Sequence, residues 1–81
     1  MEYGLRFGRR ALKDLQKIDS PDQARIVERI RLMASDLAGD VKRLTEHSPE
    51  YRLRVGDFRV LFDIEDDEII IQRIRNRREA Y

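Results

Sequence analysis

The chain has no cysteine and no tryptophan, one histidine, two prolines and four glycines in 81 residues. Without cysteine there can be no disulfide staple, zinc knuckle or thiol nucleophile, and the chain suits a reducing compartment. The single imidazole, His47, excludes a multi-histidine metal site. Long apolar runs are missing too: nothing approaches the roughly 20 residues needed to cross a bilayer, and the first residues lack the apolar core of a signal peptide. Gly4, Gly8, Gly39 and Gly56 are too dispersed to make a phosphate-cradling loop. A chain this short has material for one hydrophobic core. The expectation is a single soluble, cytoplasmic domain over residues 1–81, with no cofactor, no metal and no membrane partner.

What is plentiful is charge. Ionisable residues make up 41% of the chain and apolar residues another 41%, yet the net charge is only +1. The small total hides a strong pattern. Residues 51–60 carry a net +2, residues 61–70 carry five acids and no base, and residues 71–81 carry a net +3. The apolar residues are periodic, which argues against disorder.

Alternation of Tyr3, Leu5 and Phe7 with Glu2, Gly4 and Arg6 predicts a first strand. Ala11, Leu12, Leu15 and Ile18 then recur at helical spacing, leaving Lys13, Asp14, Gln16 and Lys17 to face water. Ser20-Pro21-Asp22-Gln23 reads as a helix start, with Ser20 as cap and Gln23 closing a capping box. The stripe of this second helix is Ala24, Val27, Ile30, Met33 or Ala34, and Leu37, and Gly39 is its stop. Residues 39–50 read as a connection anchored by Leu44. Tyr51 to Val55 alternates strictly, Gly56-Asp57 is a two-residue hairpin turn, and Phe58 to Ile64 resumes the alternation. After an acidic turn, residues 68–75 form a last strand around three isoleucines. The order βααβββ predicts an α+β fold, an antiparallel sheet with a two-helix hairpin packed on one face.

Successive strand residues point to opposite sides. If Leu53, Val55, Phe58, Val60 and Phe62 face the helices, Arg52, Arg54 and Arg59 share the open face. An acidic turn of odd length would send Ile70, Gln72 and Ile74 inward and Arg73, Arg75 and Arg77 outward. The plain alternative is a solvated strand face, which is often charged. Against it, like charges would stand opposite one another, which costs stability, and lysine is absent after Lys42. Arginine grips phosphate bidentately, so the patch reads as a phosphodiester site. Other catalytic groups are scarce. His47 sits in a polar loop, Ser20, Ser35 and Ser48 have no triad context, and the acids Asp63 to Glu68 read as a solvated turn lacking the spacing of a calcium loop.

The order of elements, the segment Tyr51 to Val60 and the ending Ile74-Arg75-Asn76-Arg77-Arg78-Glu79-Ala80-Tyr81 resemble the RelE branch of the RelE/ParE toxin superfamily, over essentially the whole chain. The resemblance implies a bacterial toxin that enters the ribosomal A site and cuts mRNA without metal, activating the ribose 2′-OH and leaving a cyclic phosphate. By that likeness Arg52 and Arg54 lie beside the scissile phosphate, Arg59 stabilises its charge, Arg77 protonates the 5′ leaving oxygen and Tyr81 stacks on a base. Arg73, Arg75, Arg78, Lys42 and Arg43 are expected to add RNA contacts. Asn76 stands where many relatives have histidine and Arg75 where many have glycine. The implied partners are the ribosome with its mRNA and a RelB-like antitoxin, acidic and partly helical, covering arginines and exposed apolar residues such as Leu61, Ile69 and Ile71. The competing reading is a ParE-like inhibitor of DNA gyrase without nuclease activity.

Overall fold

A computed structural model describes residues 2–77. Its elements are β1 (Gly4–Phe7), α1 (Arg9–Gln16), α2 (Ser20–Asp36), β2 (Asp40–Arg43), β3 (Tyr51–Val55), β4 (Phe58–Glu65) and β5 (Glu68–Asn76). The five strands form one sheet in the order β1-β5-β4-β3-β2, and the helix pair covers one face. The α+β class and the helical hairpin match expectation. Two features differ. Asp40–Arg43 is a strand rather than loop, paired antiparallel with β3. β1 pairs in parallel with β5, so the sheet is mixed. Short β2 has one half-buried residue, Val41, and too little alternation to signal a strand; its partner β3 supplies the hydrogen bonds that make it one.

The core joins Ala11, Ile26, Ile30 and Met33 of the helices to Leu53, Val55, Phe58, Val60, Phe62, Ile69, Ile71 and Ile74 of the sheet. Stacking of Tyr51 on Phe62, with centroids 5.5 Å apart, extends it along the β3–β4 pair. Leu12 and Leu44, expected to be buried, are about half exposed at 45% and 47%. The inward face of α1 is instead Ala11 and Leu15, followed by Ile18 just past the helix end, and Leu12 is rotated from Ala11 by roughly 100°. In α2 the stripe runs Ile26, Ile30, Met33, Leu37, while Ala24 is exposed. Spacings of four, three and four follow the helical repeat, and Ile26 is its missed member.

The helix ends also differ from expectation. Asp19 occupies the N-cap of α2 without a side-chain cap bond, and Ser20 is already helical. Gln23 donates from Nε2 to the Leu15 carbonyl at 2.8 Å, tying α2 to α1 rather than closing a capping box. At the other end the left-handed residue is Leu37, with φ of 61°, two positions before Gly39. The hairpin turn between β3 and β4 is as predicted: Val55 faces Phe58, and Gly56 adopts a φ of 57° that a side chain would strain.

The last strand follows an unexpected route. Asp66-Asp67 is a two-residue turn with both φ values positive, so Glu65 faces Glu68. An even turn puts Ile69 and Ile71 inward, fully buried, rather than exposed for a partner, and Ile70 on the other face. A β-bulge then intervenes: Leu61 faces Arg73 while Phe62 faces Ile71, leaving Gln72 as the extra residue. The bulge restores the predicted parity, with Ile74 inward and Arg73 and Arg75 outward. The expected strand parity at Arg73 and Arg75 is therefore reached by a different cause, and Gln72 does not point inward.

Candidate nucleic-acid interface

Strand register arranges the open face in transverse rows. Asp40, Arg54, Arg59 and Arg75 face one another in turn across β2, β3, β4 and β5. The next row is Lys42, Arg52, Leu61 and Arg73. With neighbouring strands about 4.7–4.9 Å apart, Arg54, Arg59 and Arg75 are rooted within roughly 10 Å of one another. Arg54 is exposed, whereas Arg59 and Arg75 are half-buried. Three like charges abreast are unfavourable in themselves and favourable around an anion, and guanidinium forks suit phosphate oxygens.

The remaining basic residues are placed differently. Arg52 donates from Nη1 to the Asp40 carbonyl at 3.1 Å and lies 3.4 Å from the Asp40 carboxylate; its side chain is only 13% exposed. It lies beside the row as a part-neutralised flank. Lys42 is exposed on the same face, at the sheet edge. Arg43, at the end of β2, is committed to Glu50 through a 2.8 Å ion pair. Arg77 is exposed and held next to the Gly56-Asp57 turn by its backbone N–H, which donates to the Asp57 carbonyl at 2.6 Å. Arg78 and Tyr81 lie outside the described residues.

Arg73 is drawn off the face. Its Nε and Nη2 donate to the two carboxylate oxygens of Asp14 on α1, at 2.8 and 3.3 Å. Asp14 also accepts the backbone N–H of Ile74 at 3.0 Å. Burial alone would raise the Asp14 pKa, but the Arg73 and Ile74 hydrogen bonds and the charges of Arg73 and Arg75 outweigh it and hold the carboxyl below its ordinary 3.8. Asp14 is thus shielded and engaged rather than solvated. Its spacing showed this: Asp14 falls three residues after Ala11 and four before Ile18, on the inward stripe.

Asp63 is likewise more than part of a solvated turn. It accepts hydrogen bonds from the Glu50 N–H at 2.8 Å, from Gln72 Nε2 at 3.1 Å and from the Ser48 hydroxyl. These bonds bind the loop of residues 44–50 to the open face below the arginine rows. His47, in that loop, is exposed. Among the described residues, no three carboxylate or imidazole side chains are grouped where they could hold a metal ion, and no helix is long and apolar enough to cross a membrane.

Comparison with known proteins gives a consistent picture. The profile of the ParE toxin of type II toxin–antitoxin systems matches residues 5–81. The toxin RelE3 of Methanocaldococcus jannaschii is 30% identical over 80 residues, covering 93% of this chain and 91% of that protein. Among solved structures, the archaeal RelE-RelB complex of Pyrococcus horikoshii contains a chain that superposes with a TM-score of 0.80 at 25% identity, over 99% of this chain and 100% of that one. The toxin–antitoxin complex RelBE2 of Mycobacterium tuberculosis gives a TM-score of 0.80 at 25% identity, over 94% of this chain and 99% of the other.

Proposed function

From the premise that this chain belongs to the RelE/ParE superfamily, as a RelE-type toxin of a type II toxin–antitoxin system, we propose that it is a ribosome-dependent endoribonuclease that cuts mRNA in the A site. The observation that carries the reading is the row of Arg54, Arg59 and Arg75, level with one another on three adjacent strands of the open face. In the proposed reaction the ribose 2′-oxygen loses its proton to solvent and forms a bond to phosphorus while the bond to the 5′-oxygen breaks and that oxygen takes up a proton, leaving a cyclic phosphate and a 5′-hydroxyl. The phosphorane that forms carries an extra negative charge, and the guanidiniums stabilise it more than the ground state.

Arg59 stands at the centre of the row and is assigned to the non-bridging oxygens. Arg54 and Arg75 flank it, and Arg52 adds field from one row away. A guanidinium is already fully protonated at neutral pH and cannot take up a further proton, so none of them suits the role of general base and their part is electrostatic. Arg77, beside the β3–β4 turn, is assigned to the leaving oxygen and Tyr81 to stacking on a base. Lys42 reaches the flanking backbone phosphates, with Arg78 extending the contacts at the C-terminal end. The ribosome supplies the positioning of the mRNA, and acts where the toxin is expected to act, in the cytoplasm. A RelB-like antitoxin is the proposed silencing partner, by analogy with the RelE-RelB complexes of relatives.

The ParE-like reading, gyrase inhibition without cleavage, is favoured by the match to the ParE toxin profile. A translating extract separates the two. A-site cleavage of mRNA supports the nuclease; blocked supercoiling with intact mRNA supports the gyrase inhibitor. Replacing Arg59 with Ala is expected to reduce cleavage by roughly 10²–10³-fold while stability stays within about 1 kcal/mol of wild type. Full cleavage by that variant would overturn the assignment.

A further inference from the structure

β5 changes, partway along its length, the side on which its side chains stand. Ile69 and Ile71 face the helices, Gln72 is the extra residue of the bulge, and Ile74 faces the helices again. Without the bulge, the two-residue turn would carry Arg73 and Arg75 toward the helix side and Ile74 to the open face. The arginine row exists because one residue is inserted there.

Two carboxylates grip the strand on either side of that insertion. On the near side Asp63 of β4 accepts Gln72 Nε2 at 3.1 Å while holding the Glu50 N–H at 2.8 Å. On the far side Asp14 of α1 accepts the Ile74 N–H at 3.0 Å and two bonds from Arg73. β1 pairs with β5 only as far as Ile71, so beyond that point a side chain does the work of a strand: Asp14 satisfies the outward Ile74 N–H. Both acids come from elements outside β5, one from each side of it.

We infer that Asp14 and Asp63 are positioning residues, which clamp the β5 bulge and hold Arg75 level with Arg59 and Arg54. The structural half of this inference stands alone; its effect on cleavage rests on the nuclease reading. The Ile74 N–H points to Asp14, so Ile74 and Val60 form a non-hydrogen-bonded pair whose Hα atoms should be in close contact, and that contact reports the register.

The test is NMR on the full chain combined with cleavage on programmed ribosomes. Asp14→Ala is expected to speed amide exchange at Ile74, Arg75 and Asn76 by at least about tenfold, as for loss of a charge-assisted hydrogen bond. The Val60–Ile74 contact should weaken and Leu53 exchange should stay unchanged. The rate constant kcat is expected to fall roughly ten- to hundredfold, with KM for the ribosome nearly constant. Ile30→Val, a core change on α2 that touches none of the hydrogen bonds of Asp14 and Asp63, serves as stability control and should leave local exchange and kcat at wild-type values. Should Asp14→Ala fail to fold, Asp63→Asn, which keeps an acceptor for Glu50, carries the same readouts. Wild-type exchange and contact in the acid variants would overturn the clamp. Equal loss of kcat in Ile30→Val would overturn the positioning role. A wild-type chain that cuts no mRNA would sink the nuclease reading and the kinetic half, while the exchange comparison still judges the clamp.

Discussion

Asp14 shows how one side chain can be invisible as a charge and decisive as an acceptor. It takes three hydrogen bonds from β5, two of them from a guanidinium. Because its folded pKa is depressed, its contribution to stability is complete above the ordinary value of 3.8 and is lost as the pH falls through the lower, folded value. Asp14→Asn is expected to cost about 1.5–3 kcal/mol at pH 7, the worth of hydrogen bonds to a charged group. Denaturant midpoints of variant and wild type measured against pH should converge below 3.8; a constant gap down to pH 2 would contradict this account. Glu50 with Arg43 and Glu68 with Arg6, by contrast, form solvent-accessible pairs of the kind worth at most about 1 kcal/mol.

At the scale of elements, the two hairpin turns differ in quality. The β3–β4 turn places a glycine at its positive φ, whereas the β4–β5 turn places Asp66 and Asp67 at 49° and 63°. Aspartate tolerates the left-handed region better than most residues, but two in succession still carry strain. Asp67→Gly keeps the carbonyl that accepts the Gly4 N–H at 2.9 Å and creates an Asp-Gly pair of the type favoured in such turns; it is expected to raise stability by about 0.5–1 kcal/mol. Thermal denaturation checks this, and a lowered midpoint would show that the carboxylate has a role of its own. The same even-length turn is what buries Ile69 and Ile71, which makes the bulge at Gln72 necessary for Ile74. Turn and bulge are therefore a matched pair of parity changes.

For the whole molecule, a core of small volume supports an open face that carries three arginines abreast. Phe62 is fully buried beneath that face, and Phe62→Ala should cost about 3–5 kcal/mol, a large part of the few kcal/mol of net stability that a domain this size has. Circular dichroism is expected to find that variant largely unfolded at 37 °C. On the proposed function the face should also link stability to anions. Inorganic phosphate that binds the arginine row at ten times its Kd should stabilise the wild type by about 1.4 kcal/mol, and Arg59→Ala should lose most of that gain. An equal rise in both would place the anion elsewhere.

Local pattern determined much of this protein on its own: the helix pair, the Tyr51 to Ile64 hairpin with its turn at Gly56-Asp57, and the common face of Arg52, Arg54 and Arg59. These are readable because alternation and helical spacing act between residues near in sequence. The element order, the segment Tyr51 to Val60 and the ending Ile74 to Tyr81 together carry the resemblance to RelE toxins in the sequence itself. Tertiary structure alone decided the rest. β2 is a strand because β3 offers it partners, and β1 lies parallel to β5 because the helix pair carries the chain back across the sheet. Arg73 leaves the face because Asp14, 59 residues earlier, meets it at the strand edge. Gln72 becomes a bulge because Ile71 and Ile74, three residues apart, both enter the same core, a demand that no regular strand can satisfy.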